Sequence, residues 1–241
     1  MAAYPKPRAS TIVLRWLVGT ILVSWRYLWQ ITPLHRNECT GTTVDDLPPD
    51  LPTELVDDAV QLADSGFGPF YHRCFRAEIV GADVTTEELL GWITADFKRF
   101  VPSEVVDVRS SSDSDESLSL GDEFVVDMPG PWDGPVRVVQ VDDTCLRLVT
   151  LRGHLEAGQV QFHAYSWDEV LVFEIRAWAR PSTPLVRWLY SKLRLAKEIQ
   201  LNMWVRFCCE AARQAGGRLQ NGIRIRTHRL PADARVQRVS A

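Results

Sequence analysis

The longest unbroken apolar pattern in the chain runs from Pro184 to Ala215, PLVRWLYSKLRLAKEIQLNMWVRFCCEAARQA. No Pro or Gly interrupts it after Pro184, and Gly216-Gly217 follow it. At about 3.6 residues per turn this predicts a helix of about eight turns. Pro181 and Pro184 suit its start and the Gly pair its C-terminal cap. On a helical wheel Leu185, Leu189, Leu193, Ala196, Met203, Trp204, Phe207 and Ala211 share one arc, which predicts the buried face. Gln200 interrupts that arc and Lys197 stands at its edge.

The preceding hundred residues alternate apolar and polar positions with the period of a strand. Phe70–Val80 alternates Tyr71, Phe75, Ala77 and Ile79 with His72, Arg76 and Glu78. Thr85-Thr86-Glu87-Glu88 has the composition of a capping box and predicts a helix carrying Leu89, Ile93, Phe97 and Phe100, stopped by Pro102. A second strand is expected at Val105–Arg109. After it, SSSDSDESLS (110–119) predicts a solvated acidic loop. From Gly121 a meander follows, with Trp132 in a Pro/Gly-rich turn and hairpins turning at Asp142-Asp143 and Asp168-Glu169.

The predicted order is strand, helix, several antiparallel strands, long C-terminal helix. This is an α+β fold, a curved antiparallel sheet wrapped around the last helix. Residues 53–217 would form that domain, with Thr53–Ala63 as a short helix, 1–52 an apolar helix and linker, and 218–241 an Arg-rich tail.

Residues 10–32, STIVLRWLVGTILVSWRYLWQIT, are the most hydrophobic window. A membrane span needs about 20 apolar residues, and Arg15 and Arg26 divide this one. Two readings stand for it: a helix docked on the domain, or an interfacial helix on a membrane surface, with Trp and Arg at head-group level. No small-residue cleavage site follows the apolar run, which argues against a signal peptide.

Composition narrows the picture a little. The chain has 241 residues, 46% hydrophobic and 24% charged, with a net charge of -4. Its five cysteines are odd in number and lack CxxC or zinc-finger spacing, which favours free thiols in a reducing, cytoplasmic setting. No phosphate-cradling or metalloprotease motif is present, so no cofactor or metal is expected. The Arg-rich tail matches no recognisable nucleic-acid module, so no nucleic-acid partner is expected either.

Several stretches resemble uncharacterised protein family 0548, a domain of unknown function. They are Gly66-Phe67-Gly68-Pro69-Phe70-Tyr71-His72-Arg73, Gly121–Phe124, Thr150-Leu151-Arg152-Gly153-His154-Leu155-Glu156-Ala157-Gly158, Phe173–Pro181 and Arg194–Leu201. The order of elements also resembles the START-like helix-grip fold. That resemblance implies a cavity between sheet and helix and a binding protein for a hydrophobic or amphipathic small molecule.

Within that frame Gln200 and Lys197 are candidate ligand contacts, because apolar cavities place a few polar groups to orient a ligand. Arg176 joins them if the charged side of its strand lines the cavity, and His163 is a candidate partner for Gln200. For an enzyme of cyclase or hydrolase type, His154, Glu156 and Glu174 are the weak acid–base candidates, since His titrates near neutral pH. The plainer readings are a turn in which His154 bonds backbone and a solvent ladder of Glu174 and Arg176.

Overall fold

The computed structural model describes residues 33–42, 46–101, 107–110, 117–127, 133–186 and 195–236. The expected N-terminal helix at 10–32, Trp132 and most of the acidic loop lie outside the described residues. Strand β1 (Leu34–Thr40) is followed by β2 (Phe70–Val80), helices α1 (Thr86–Ala95) and α2 (Phe97–Phe100), and strands β3 (Asp107–Ser110), β4 (Glu123–Asp127), β5 (Asp133–Asp142), β6 (Cys145–Thr150), β7 (Glu156–Trp167) and β8 (Val170–Pro181). Helix α3 (Leu195–Gln214) and strand β9 (Arg218–Leu230) complete the order.

The strands form one curved sheet in the order β1-β9-β2-β8-β7-β6-β5-β4-β3. Every neighbouring pair is antiparallel except β1 with β9. On the concave side Phe75, Ala77, Ile79, Phe162, Ala164, Phe173 and Ile175 are buried in one cluster with Trp204, Phe207, Cys208 and Ala211 of α3. This is the helix-grip arrangement. The helix is held by rings: Phe207 lies 5.0 Å from Phe162 and 5.9 Å from Phe173, and Phe162 meets Trp204 edge-on at 5.6 Å.

Local chemistry sets the element ends. Thr85 Oγ1 accepts from the Glu88 N–H at 3.2 Å and Glu88 Oε2 accepts from the Thr85 N–H at 2.8 Å. This is the expected capping box, worth about 1 kcal/mol. The single helix expected to run on to Phe100 is broken at Asp96 (φ −144°, ψ 70°), whose carboxylate caps the Arg99 N–H and starts α2. Helix α3 ends in a Schellman motif: the Gly217 N–H reaches the Ala212 carbonyl, the Gly216 N–H reaches that of Arg213, and Gly216 takes φ 71°. The β7–β8 hairpin turns on Asp168 and Glu169, at φ 48° and 62°, as a two-residue type I′ loop requires.

Four further expectations change. Residues 218–230 are not a solvated tail but β9, paired with both β1 and β2. The supposed linker is packed on the convex face: Leu51 is buried with Val60, Val139, Val149 and Leu151, while Arg147 donates to the Asp50 carbonyl and Gln159 to that of Pro49. Only two 3-10 turns, Thr53–Leu55 and Ala63–Ser65, stand where a short helix was expected. Residues 184–186 are helical, but Leu185 is 61% exposed, so the buried stripe does not include it.

Candidate ligand-binding site

Strand alternation sorts the candidate residues onto two faces. On β8, Phe173, Ile175, Ala177 and Ala179 point to the concave side, so Glu174, Arg176 and Trp178 point away from α3. Phe162 and Ala164 do the same on β7, which sends His163 and Tyr165 to the convex side. Arg176 and His163 therefore point away from α3, the helix that carries Gln200 and Lys197. The apolar residues of each strand occupy the helix-facing places, which leaves the alternate positions for the opposite face.

Glu174 is nevertheless no exposed ladder rung. It is 1% exposed, and its carboxylate accepts from Arg176 (Nε 2.9 Å, Nη2 2.5 Å) and from the Tyr165 hydroxyl (3.0 Å), with Arg76 Nη1 at 3.5 Å. Burial, reinforced by the adjacent Glu174 charge, pushes the Tyr165 hydroxyl up to about 12. His163 stacks on Tyr165 at 5.1 Å. This side of the sheet carries a closed polar network around one buried carboxylate.

His154 lies in the β6–β7 turn. Its Nδ1 accepts the Glu156 N–H at 2.9 Å, and burial holds its pKa below the ordinary imidazole value. That nitrogen is thus committed to the turn. Glu174 and His154 belong to separate sites, so the three acid–base candidates are not brought together.

Glu156 leads somewhere else. Its Oε1 is 3.5 Å from Nη1 of Arg73, and both residues are buried, 6% and 3% exposed. Arg73 is on the concave side, two residues before Phe75 on the same strand, and its guanidinium lies 4.8 Å above the Tyr71 ring. Its register partners are Ala177 on β8 and Thr227 on β9; Tyr71 pairs with Ala179, which pairs with Gly158. At Gly158, φ is 152°, and a Cβ would sit 1.9 Å from the Trp178 carbonyl oxygen, so only glycine fits. Three stretches of the family resemblance, Gly66–Arg73, Thr150–Gly158 and Phe173–Pro181, thus meet on one concave patch. Sequence reasoning singled out Glu156 but missed Arg73. Its position on the apolar side of β2's alternation was the available signal.

Gln200 and Lys197 lie on α3, within a segment whose side chains are outside the described residues. One turn on from Gln200, Trp204 is buried, and its Nε1 has no hydrogen-bond partner among the described residues.

A buried charged pair and small side chains along one end of an aromatic-filled grip define the class: a helix-grip protein with a polar end to its interior. Residues 83–210 match the family described as a domain of unknown function, DUF1990. The chain belongs to that family. Similar solved structures include a hypothetical protein, jhp0584, of Helicobacter pylori (12% identity over 58% of this chain and 87% of that one, TM-score 0.42). Others are protein Ms6760 of Mycobacterium smegmatis (12%, 67% and 98%, TM-score 0.41) and major latex-like protein 151 of Panax ginseng (10%, 55% and 94%, TM-score 0.37). No curated protein matches the sequence significantly. No helix among the described residues is long and apolar enough to cross a membrane.

Proposed function

We propose that the protein binds a small amphipathic molecule between sheet and α3, with the ligand's polar group at the Arg73–Glu156 pair. The observation that carries this is the pair itself. Burying two charges costs several kcal/mol and gains stability only with good geometry and further hydrogen bonds, so an apolar pair of the same volume would serve stability as well. A guanidinium backed by a ring and facing small residues is suited to an anionic or carbonyl group.

Gln200 and Lys197 belong to the same reading. Gly217 is level with Ile79, since a Cβ there would stand 2.4 Å from that side chain. At a helix rise of about 1.5 Å per residue against about 3.3 Å along a strand, residue 200 would stand roughly level with Tyr71, at the ring that backs Arg73. We also propose kinship with uncharacterised protein family 0548, which the stretches that supply Arg73, Glu156 and Gly158 resemble.

The test uses 8-anilinonaphthalene-1-sulfonate, an apolar anion, with the purified full chain, alongside solvent extraction and mass spectrometry of whatever co-purifies. Saturable one-to-one binding to the folded protein is expected, weakened about tenfold by Arg73→Met, since one lost charged contact is worth about 1.5–3 kcal/mol. A folded protein with neither an extractable compound nor saturable binding would overturn the proposal.

A further inference from the structure

On the convex side of the sheet, three donors from distant parts of the chain converge. His72 on β2 and His228 on β9 are register partners across the strand pair. Asp46, from the segment folded over that face, inserts its carboxylate between them. Oδ1 lies 2.8 Å from His72 Nδ1 and 2.6 Å from His228 Nδ1, and Oδ2 accepts the Thr42 N–H at 2.8 Å. Asp46 is 2% exposed. One donor atom from each of the three residues lies within 4.8 Å of the other two.

We propose that Asp46, His72 and His228 form a binding site for a divalent transition-metal ion of the zinc class. Two imidazoles and one carboxylate are the donor set that such ions take, with the remaining coordination position left to water or another ligand. Among the described residues the carboxylate's partners are two imidazoles and one backbone N–H, and none of these carries a permanent charge. A divalent ion would supply that charge.

The geometry needs side-chain adjustment only. Ligand atoms about 2.0–2.1 Å from a tetrahedral ion are about 3.4 Å apart, so each imidazole must draw back from Oδ1 by somewhat more than half an ångström while the two ring nitrogens, within 4.8 Å of each other, close by up to about 1.4 Å. His228 has the freedom to do so, its side chain being 32% exposed. His72 is held by its stack on Trp178, at 5.0 Å and 11°, and its Nε2 is buried without a partner, which leaves Nδ1 as the nitrogen facing the carboxylate and the ion. The Asp46 loop is drawn in by Gly41, where a Cβ would stand 2.6 Å from Oδ2. The site is on the opposite side of the sheet from the proposed ligand pocket, and the two readings stand or fall separately.

Cys39 is the register partner of His228 on β1 and is exposed, so a neighbouring thiol could capture an ion by itself. The experiment is therefore run on the full-length Cys39→Ser protein, stripped with chelator and titrated with Zn²⁺ by calorimetry and with Co²⁺ by visible absorption. One equivalent should bind with a micromolar or tighter Kd, and Co²⁺ should give ligand-field bands with no thiolate charge-transfer band. His228→Ala should weaken binding at least 100-fold while its circular dichroism stays that of the parent. If that variant does not fold, His228→Gln takes its place with the same expected loss. Absence of saturable one-to-one binding in the folded Cys39→Ser protein, or binding unchanged in a folded His228 variant, overturns the proposal.

Discussion

Phe207→Ala is the sharpest test of how the helix is held. Phe207 is fully buried and has Phe97, Phe100, Phe162, Phe173 and Trp204 around it, at centroid distances of 5.0 to 6.4 Å. Losing the buried ring removes about 1.5–3 kcal/mol of transfer free energy. A residual void of roughly 80 Å³ adds about 2 kcal/mol at about 24 cal/mol per Å³. The ring contacts cannot be summed on top of this, because an aromatic pair's ~0.5–1.5 kcal/mol overlaps with the lost packing. The expected loss is therefore about 4 kcal/mol, read from urea unfolding monitored by far-UV circular dichroism. At about 2–4 °C per kcal/mol for a chain of this size, Tm should fall by roughly 8–16 °C. Leu185→Ala on the exposed end of the same sequence pattern should cost no more than about 0.5 kcal/mol. A Phe207→Ala loss under about 1.5 kcal/mol, with unchanged m-value, would refute the placement of Phe207 at the centre of the grip.

Two other outcomes follow from features at the sheet. Gly158→Ala should cost at least about 3 kcal/mol in the same unfolding assay, because the new methyl meets the Trp178 carbonyl at 1.9 Å and φ of 152° is closed to L-residues; a loss below 1 kcal/mol would show that the β7–β8 register is wrong. His154 and His163 have pKa values held below the ordinary 6.5, in both cases by burial first. Their unfolded forms take up protons first, so the stability they contribute is present above about pH 6.5 and is lost as pH falls through and below that value. The double variant His154→Gln/His163→Gln should show a shallower decline in unfolding free energy between pH 7.5 and 5.

The central helix and the concave sheet were legible because their signals are local: period 3.6 around Phe207 and Ala211, period 2 along β2, β7 and β8, and turn residues between. The site was only half legible. Glu156 stood out as part of a His-x-Glu turn, whereas Arg73 looked like one more charge on a strand. Its partner is far away in sequence, and only the sheet register brings the two together. His163, expected beside Gln200, turns away from α3 for the opposite reason: alternation places it correctly on β7, but which side faces the helix depends on where Phe162 and Phe173 find apolar company. Strand β9 was missed because six arginines in the last 24 residues suggested a solvated tail. Ile223, Ile225 and Thr227 do alternate with Arg224, Arg226 and His228, and that pattern was readable beneath the charge. Missing β9 also hid the metal-type cluster, since His228 belongs to it.

The parallel pairing of β1 with β9 has a consequence for how the protein is made and cut. Strand β9 lies between β1 and β2, so the pairing that β1 makes among the described residues must wait until nearly the whole chain has left the ribosome. Contacts of such long sequence separation fold late and slowly. The segment matching the family, 83–210, contains neither β1, β2 nor β9. A fragment trimmed to those limits would leave β8 as a raw sheet edge, with unpaired backbone groups open to association with other chains. The natural unit for expression runs from before Leu34 to beyond Leu230, and shortening either end removes support from the other.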